Sequence, residues 1–420
     1  MSDAPPDVAT VNRWRAVVAR ARNTRQRYEA VVSDPVAAML VPQIPPEEFY
    51  YLVCAVGVGD VGELLRLAST DQIRTCLDLD AWRGDRVSIE QLIPWLEALE
   101  DLPGPMLGRV LRACDIEFLS FIFASASIIH ERDVDDPVDH GRRYPQFETP
   151  DGDFVVEFPS PEREWGRVLE RFLAALYTAD PELCRDMLIE ARVGLPGELE
   201  EESLRWRTAR LADLGFPDLT EALDVYRFLD LKGLQIATTA PPPRRTEPIG
   251  LPSVFADSLA DDTFLSQVLA TIEEAGPLNT VTGRLVALLN RVLVADRVSP
   301  SDLSAVQLVT ERARDTLSLG LEVLSQGDVE RGRTVLERLG MVDVFRAGFS
   351  LTFDLHRRAK HLRDAGVDDP DLLPLLSVRP EFPCALDDAP RAGQRAFRTP
   401  EDLRRVAARL GELTAERPGG

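Results

Sequence analysis

The pattern of apolar and polar positions predicts helices along most of the chain, and residues 198–230 show it most clearly. The first half of this stretch is apolar on more than one side, which is typical of a helix packed between others. Gly215 supplies a C-terminal cap, and Pro217 prevents continuation. A second helix opens on a capping box from Asp218 to Glu221. It is predicted to carry an apolar stripe formed by Leu219, Ala222, Leu223, Tyr226 and Leu229.

Short helices are predicted to follow one another over residues 45–126. Ser69 to Gln72 and Ser88 to Gln91 both match the capping box, in which two side chains at the helix start satisfy each other's backbone N–H groups. Because such short helices cannot each bury a face alone, we expect them to stack as in armadillo-like helical repeats. Residues 1–44 are predicted to form an arm that contains an amphipathic helix over residues 11–32.

Between residues 127 and 158 the spacing of apolar residues is no longer that of a helix. In the run QFETPDGDFVVEF, Pro150, Asp151 and Gly152 separate two stretches rich in aromatic and β-branched residues. This pattern predicts a strand, a turn and a second strand. Proline presets φ in such a turn and glycine permits a positive φ. Ile128 and Ile129 are positioned to supply a third, edge strand. We therefore expect a small β-hairpin insertion on a helical body.

The later boundaries follow from breaks in periodicity. Residues 159–234 are predicted to be a central helical region, 235–256 a proline-rich linker, 257–365 a C-terminal helical domain, and 366–420 an irregular tail that ends in a helix. Ser299-Pro300 and Thr399-Pro400 carry helix-start signals. The predicted fold class is mainly α, with a stacked short-helix N-terminal part, a small β-hairpin insertion and a C-terminal helical bundle.

Three runs carry a family resemblance: LDLDAWRGDRVSIEQLIPWLEAL, LEEESLRWRTARLADLGFP and LERLGMVDVFRAGFSL. They resemble an uncharacterised bacterial family, domain of unknown function 6178, from about Pro45 to about Leu362. The resemblance supports the helical fold and implies no activity, cofactor or catalytic residue. The run LLRLASTDQI also resembles the armadillo-like cytosolic domain of MgtE-type magnesium transporters, and no ion-binding residue is carried over from them.

The net charge of the chain disfavours some classes of binding partner. A formal net charge of -22 over 420 residues repels phosphate backbones and anionic lipid, so nucleic acid and membrane surfaces are disfavoured. A basic protein or a cation fits better, although acidity also serves solubility alone. The most apolar window, residues 118–129, is too short to span a bilayer. Five widely spaced cysteines without a Cys-x-x-Cys pair predict reduced thiols in a cytoplasmic protein.

One stretch, HERDVDDPVDH, concentrates possible metal ligands. Its imidazoles and carboxylates suit Mn²⁺, Fe²⁺ or Zn²⁺, and the alternative is a solvated acidic loop. Read as a calcium-binding EF-hand loop from its first aspartate, it lacks the required glycine and glutamate. The candidate metal ligands are His130, Asp133, Asp135, Asp136 and His140, with Asp139 between them.

A second candidate is the dense run of charges in the central helix. If these charged side chains are partly buried, they suit the binding of an anionic ligand or a catalytic cluster of paired charges. The alternative is a structural network of ion pairs that fixes the register of the helix. The members of this predicted network are Glu200, Glu201, Glu202, Arg205, Arg207 and Arg210.

The chain lacks a phosphate-binding P-loop, a glycine-rich dinucleotide turn, a nucleophile elbow and an H-E-x-x-H helix, and it has only four histidines. These features favour a non-catalytic helical scaffold or adaptor that binds a protein partner, without a cofactor. The alternative is a metal-dependent enzyme centred on His130, Asp133 and His140, or a divalent-cation sensor at the same loop.

Overall fold

The computed structural model describes residues 24–132, 144–159, 163–231, 255, 262–272 and 275–416. The chain divides into two compact units, Met1–Leu214 and Gly215–Gly420. Both consist mainly of helices with small antiparallel sheets, so the predicted mainly α class is confirmed. The division lies upstream of residues 235–256, where the linker was predicted, and most of that segment is outside the described residues. The finer domain boundaries and the helical-repeat arrangement stay predictions.

Unit 1 begins with a succession of short helices, and three longer ones follow the sheet. The described helices are α1 (Thr24–Val32), α2 (Ala37–Leu40), α3 (Pro46–Val56), α4 (Gly62–Leu67), α5 (Thr70–Asp80), α6 (Ile89–Glu100), α7 (Gly104–Ala113), α8 (Ile116–Ala126), α9 (Arg163–Ala179), α10 (Pro181–Val193) and α11 (Pro196–Asp213). Helix α1 is the described part of the helix predicted over residues 11–32.

The predicted capping signals start several of these helices. The backbone N–H of Gln72 donates to Ser69 Oγ at 3.2 Å, and the Ser69 N–H donates to Gln72 Oε1 at 2.8 Å. Gln72 also donates from Nε2 to the carbonyl oxygens of Val41 and Ile44, so one side chain ties α5 to the segment before α3. Two tryptophans, Trp82 and Trp95, are buried in the core.

The sheets of unit 1 are small. Strands β1 (Trp82–Arg83) and β2 (Arg86–Val87) form a hairpin that the sequence did not reveal. Strands β3 (Ile128–Glu131), β4 (Gln146–Glu148) and β5 (Phe154–Glu157) form an antiparallel sheet in the order β3-β5-β4. The turn between β4 and β5 contains Gly152 with φ of 79°. Both the predicted hairpin and its edge strand are confirmed.

Unit 2 contains the longest helices. Its described elements are α12 (Leu219–Leu223), α13 (Phe264–Leu269), α14 (Ala275–Ala295), α15 (Leu303–Ser325), α16 (Val329–Arg338), α17 (Met341–Asp364), α18 (Leu372–Leu375), β6 (Phe382–Pro383), β7 (Gln394–Arg395) and α19 (Pro400–Ala415). The segment between α17 and α19 packs against both helices, and Leu372, Phe382 and Phe397 join a buried core with α19. The final helix therefore packs against the core of unit 2.

Two predicted helix boundaries in unit 2 are wrong. Helix α12 ends at Leu223 and passes into a 3-10 turn over Asp224–Tyr226, so the stripe predicted as far as Leu229 is not one helical face. The reason is tertiary: the backbone N–H of Leu229 donates to Ser350 Oγ of α17 at 2.8 Å, which holds this segment extended. Helix α15 begins at Leu303 and not at Pro300, because Asp302 caps it by accepting from the Ala305 N–H at 3.0 Å.

Helices α15 and α17 approach each other at two buried glycines. A Cβ added at Gly320 would overlap the carbonyl oxygen of Val344, and one added at Gly348 would overlap the carbonyl oxygen of Thr316. Only residues without a side chain allow backbones this close. The crossing therefore depends on glycine at both positions.

Candidate functional site

His130 is the member of the predicted metal site that lies in the described residues. It lies in β3, where its backbone pairs with that of Val155 in β5. Asp133, Asp135, Asp136, Asp139 and His140 lie outside the described residues. Among the residues that the structure describes, no group of three or more His, Cys, Asp or Glu side chains is placed to hold a metal ion. A divalent metal at residues 130–140, with the enzyme or sensor that it would support, stays a prediction.

Glu200, the first member of the predicted charge network, is buried in α11 and is bound by β2. The backbone N–H of Val87 donates to Glu200 Oε1 at 3.0 Å, and Arg86 Nη1 pairs with Glu200 Oε2 at 2.5 Å. A buried carboxylate with both oxygens engaged fixes the position of the strand that supplies the donors. Glu200 thus ties the β1-β2 hairpin to α11.

Arg210 is held between two carboxylates. Its Nε and Nη2 donate to the two oxygens of Asp78 at 2.7 and 2.8 Å. Its Nη1 and Nη2 donate to the two oxygens of Asp115 at 2.9 and 2.7 Å. Burial raises the pKa of Asp78, although the hydrogen bonds and charge of Arg210 oppose that change. Bidentate pairs on two sides join α11 to α5 and to the residue that precedes α8.

The remaining network members divide between core and surface. Arg207 is stacked on the Trp82 ring, with 5.0 Å between its guanidinium carbon and the ring centroid, and it donates from Nε to the carbonyl oxygen of Asp78 at 2.6 Å. Burial lowers the pKa of Arg207 to about 10. Glu201 is exposed, and Arg205 pairs with Glu202 at 3.4 Å on the surface. The six charges therefore do not form one cluster.

Burial affects the protonation state of several of the five cysteines. All five are free thiols. Burial raises the pKa of Cys54, Cys114 and Cys184 to about 12 each, so these thiols stay protonated at neutral pH.

A buried polar cluster of unit 2 surrounds Asp296, directly after α14. The Asp296 side chain is 1% exposed. Tyr226 donates from its hydroxyl to Asp296 Oδ1 at 2.7 Å, and Arg379 Nη2 pairs with the same oxygen at 2.5 Å. Arg312 Nη2 of α15 pairs with Oδ2. One buried carboxylate thus meets two guanidinium groups and a phenol.

The rings of Tyr226, Phe345 and Phe349 form an aromatic wall beside this cluster. The Tyr226 ring packs edge-on against Phe345 and Phe349 of α17, with ring centroids 5.7 and 5.0 Å apart. The Arg379 guanidinium carbon lies 4.4 Å from the centroid of the Tyr226 ring. Burial raises the pKa of Tyr226, although the positive charges of Arg379 and Arg312 oppose that change. Tyr226 is therefore a hydrogen-bond donor at neutral pH.

The sequence could not reveal this cluster, because its members are far apart along the chain and come from different elements. No short motif links a tyrosine in a turn, an aspartate after a helix, an arginine within the next helix and an arginine in a later loop. The one local signal was Tyr226 in an apolar stripe, which predicts core packing rather than a polar role.

The fold and these clusters define a mainly α protein in which described buried charges pair between different elements. The chain belongs to a family of unknown function, DUF6178, whose profile matches residues 9–418. This confirms the family resemblance drawn from the sequence and extends it over nearly the whole chain. Neither the curated proteins nor the solved structures contain a match. Within the described residues, none of the helices has both the length and the hydropathy of a membrane-spanning segment.

Proposed function

We propose that this protein is a non-catalytic scaffold or adaptor and that it binds a protein partner through the outer face of α10. The observation that carries the proposal is a set of exposed aliphatic side chains at the end of this helix. Ile189, Val193 and Leu195 are 41%, 64% and 62% exposed. Clustered apolar side chains on a surface are typical of a protein-binding site.

The spacing of these residues defines the surface. Asp186, Ile189 and Val193 follow one another at intervals of three and four residues, so they lie on one face of α10. Leu195 extends that face beyond the end of the helix, where it precedes α11. The opposite side of α10 is fixed in the core by buried Leu183, Cys184, Met187, Leu188 and Ala191. The binding face is therefore rigid before a partner arrives, which reduces the entropy lost on binding.

Charge indicates the chemistry of the partner. The same face of α10 carries Asp186 one turn before the aliphatic residues, and the whole chain has a net charge of -22. A partner with an apolar patch next to lysine or arginine side chains complements this arrangement. Apolar burial then supplies most of the affinity, while the opposite charges accelerate association and favour the correct partner.

Capture of the partner from host lysate tests the proposal when wild type is compared with a Val193→Glu/Leu195→Glu variant. A carboxylate at the centre of an apolar interface is desolvated without a counter-charge, so we expect recovery of the partner to fall at least about ten-fold. Quantitative mass spectrometry at low and moderate salt measures the recovery. The remaining binding contacts are expected to weaken as salt screens the acidic surface.

Leu308→Glu is the matched control, because Leu308 is 67% exposed and lies in unit 2. It adds one carboxylate to an exposed aliphatic position, as each of the two substitutions in the double variant does, and is expected to leave recovery unchanged. Circular dichroism checks that all variants are folded. The proposal is wrong if the same proteins are recovered with wild type, the double variant and the control in equal amounts.

A further inference from the structure

A small cavity lies beside the Asp296 cluster of unit 2. It is lined by both arginines of the cluster and by the aromatic wall, and it leaves about 20 Å³ for the centre of a water-sized atom. That space is enough for roughly one water or one ligand oxygen. The cavity lining includes Arg312, Arg379, Phe345, Phe349, Ala396 and Phe397.

The charged side chains that line this cavity are both cationic. Asp296 contributes one carboxylate, whereas Arg312 and Arg379 contribute two guanidinium groups. The Nε atom of Arg312 is buried and has no acceptor among the described residues. Burial also lowers the pKa of Arg312, because its positive charge has lost solvent. A buried N–H donor without an acceptor is costly, and an oxygen in the cavity would remove that cost.

We propose that this cavity binds one oxygen of a small oxyanion, a carboxylate or a phosphate, with Arg312 and Arg379 as its donors. Guanidinium groups suit these anions because their N–H donors form a planar fork. Both arginine side chains are 28% exposed, so the rest of the ligand lies at the mouth of the cavity. The half-buried Phe349 ring then offers contact to an apolar portion of the ligand. This site lies in unit 2 and does not depend on the partner surface of α10.

One neighbouring charge opposes the anion. Glu381 acts electrostatically on Arg312, since its negative charge raises the pKa of that guanidinium. Replacement of Glu381 by Gln removes this competing charge while it keeps the size of the side chain. The proposal therefore predicts changes in opposite directions: Glu381→Gln strengthens anion binding, whereas changes in the donors or the cavity weaken it.

Isothermal titration of the full chain with inorganic phosphate and with acetate, at matched ionic strength against chloride, tests the site. Arg312→Lys keeps the charge but loses the fork, and Ala396→Val fills the cavity without changing a charge. We expect each to weaken binding at least about ten-fold, and Glu381→Gln to strengthen it by about two-fold or more. The stronger of the two probes identifies the headgroup.

Arg357→Lys is the matched control, because the Arg357 side chain is 71% exposed on α17 and pairs only loosely with Asp354. It is expected to leave the affinity unchanged. The proposal is overturned if neither probe binds better than chloride, or if Ala396→Val and Glu381→Gln both bind as wild type does. Because Ala396→Val leaves every donor in place, its result does not depend on how well the Arg312 variant folds.

Discussion

At the scale of single residues, burial decides which charges matter, and only part of that was predictable. The sequence identified Glu200, Arg207 and Arg210 as candidates because they lie among apolar positions. Their partners were not predictable, because helical periodicity pairs a residue only with neighbours on its own helix. In the structure, Arg210 meets Asp78 and Asp115, which are 132 and 95 residues away.

Arg210→Met tests how much the ion pairs of Arg210 contribute to the free energy of unfolding. Removal of the guanidinium leaves two carboxylates of unit 1 facing each other without a counter-charge, and we expect a loss of about 3–5 kcal/mol in the free energy of unfolding. Urea denaturation measures it. Arg205→Met is the control on the same helix, because Arg205 pairs with Glu202 in solvent. Its effect is expected to stay within about 0.5 kcal/mol, and equal losses in both variants would contradict the prediction.

Arg395 of unit 2 also bridges two carboxylates, and we expect the contribution of these ion pairs to stability to depend on pH. It donates to both oxygens of Asp402 at 2.7 and 2.8 Å and to Asp387 at 2.7 Å. The Arg395 hydrogen bonds hold the pKa of Asp387 below its ordinary value of 3.8. For Asp402, burial alone would raise the pKa, but Arg395 and the backbone N–H of Arg398 lower it overall.

Arg395→Gln is therefore expected to cost about 3–5 kcal/mol of stability at neutral pH. Carboxylates with lowered pKa values stabilise the fold above their unfolded pKa, and this contribution disappears as pH falls through their folded values. The cost of the substitution should shrink below about pH 4. Urea denaturation across pH measures it, with exposed Arg404→Gln as the control. A cost that is the same at every pH would refute this account.

At the scale of elements, local chemistry predicted where helices start better than where they end. The Ser69 cap and the turn at Gly152 depend only on adjacent residues, so the sequence was sufficient. The end of α12 depends on Ser350 of α17, which no local pattern contains. The close crossing of α15 and α17 was also beyond the sequence, because a glycine within a helix signals only lower propensity.

Gly320→Ala and Gly348→Ala are predicted to be strongly destabilising. Each added methyl group overlaps a backbone carbonyl oxygen of the facing helix, and overpacking of this kind costs about 1–3 kcal/mol or more. Gly411→Ala on α19 is the control, because its Cβ would meet nothing within 4 Å. It should stabilise by about 0.5–1 kcal/mol through helix propensity. Thermal and urea denaturation compare the three, and a neutral Gly320→Ala would show that the helices are free to separate.

At the scale of the whole molecule, fold class and family were predictable, because both follow from patterns repeated along the chain. The candidate oxyanion site was not, since Tyr226, Asp296, Arg312 and Arg379 come together only through tertiary packing. The acidic run after His130 could be recognised from composition, and residues 133–143 lie outside the described residues. The scaffold function and the cytoplasmic location stay predictions.

The glycine crossing also bears on the order in which unit 2 acquires its structure. Helices α15 and α17 are separated along the chain only by α16 and short turns. Closing so short a loop loses little chain entropy, and contacts between residues near in sequence form rapidly. The segment from α18 to α19 can complete its core only after α17 is in place, since that core includes Leu355, Ala359 and Leu362. We therefore expect folding of unit 2 to nucleate at the α15–α17 pair and to finish with its C-terminal helix.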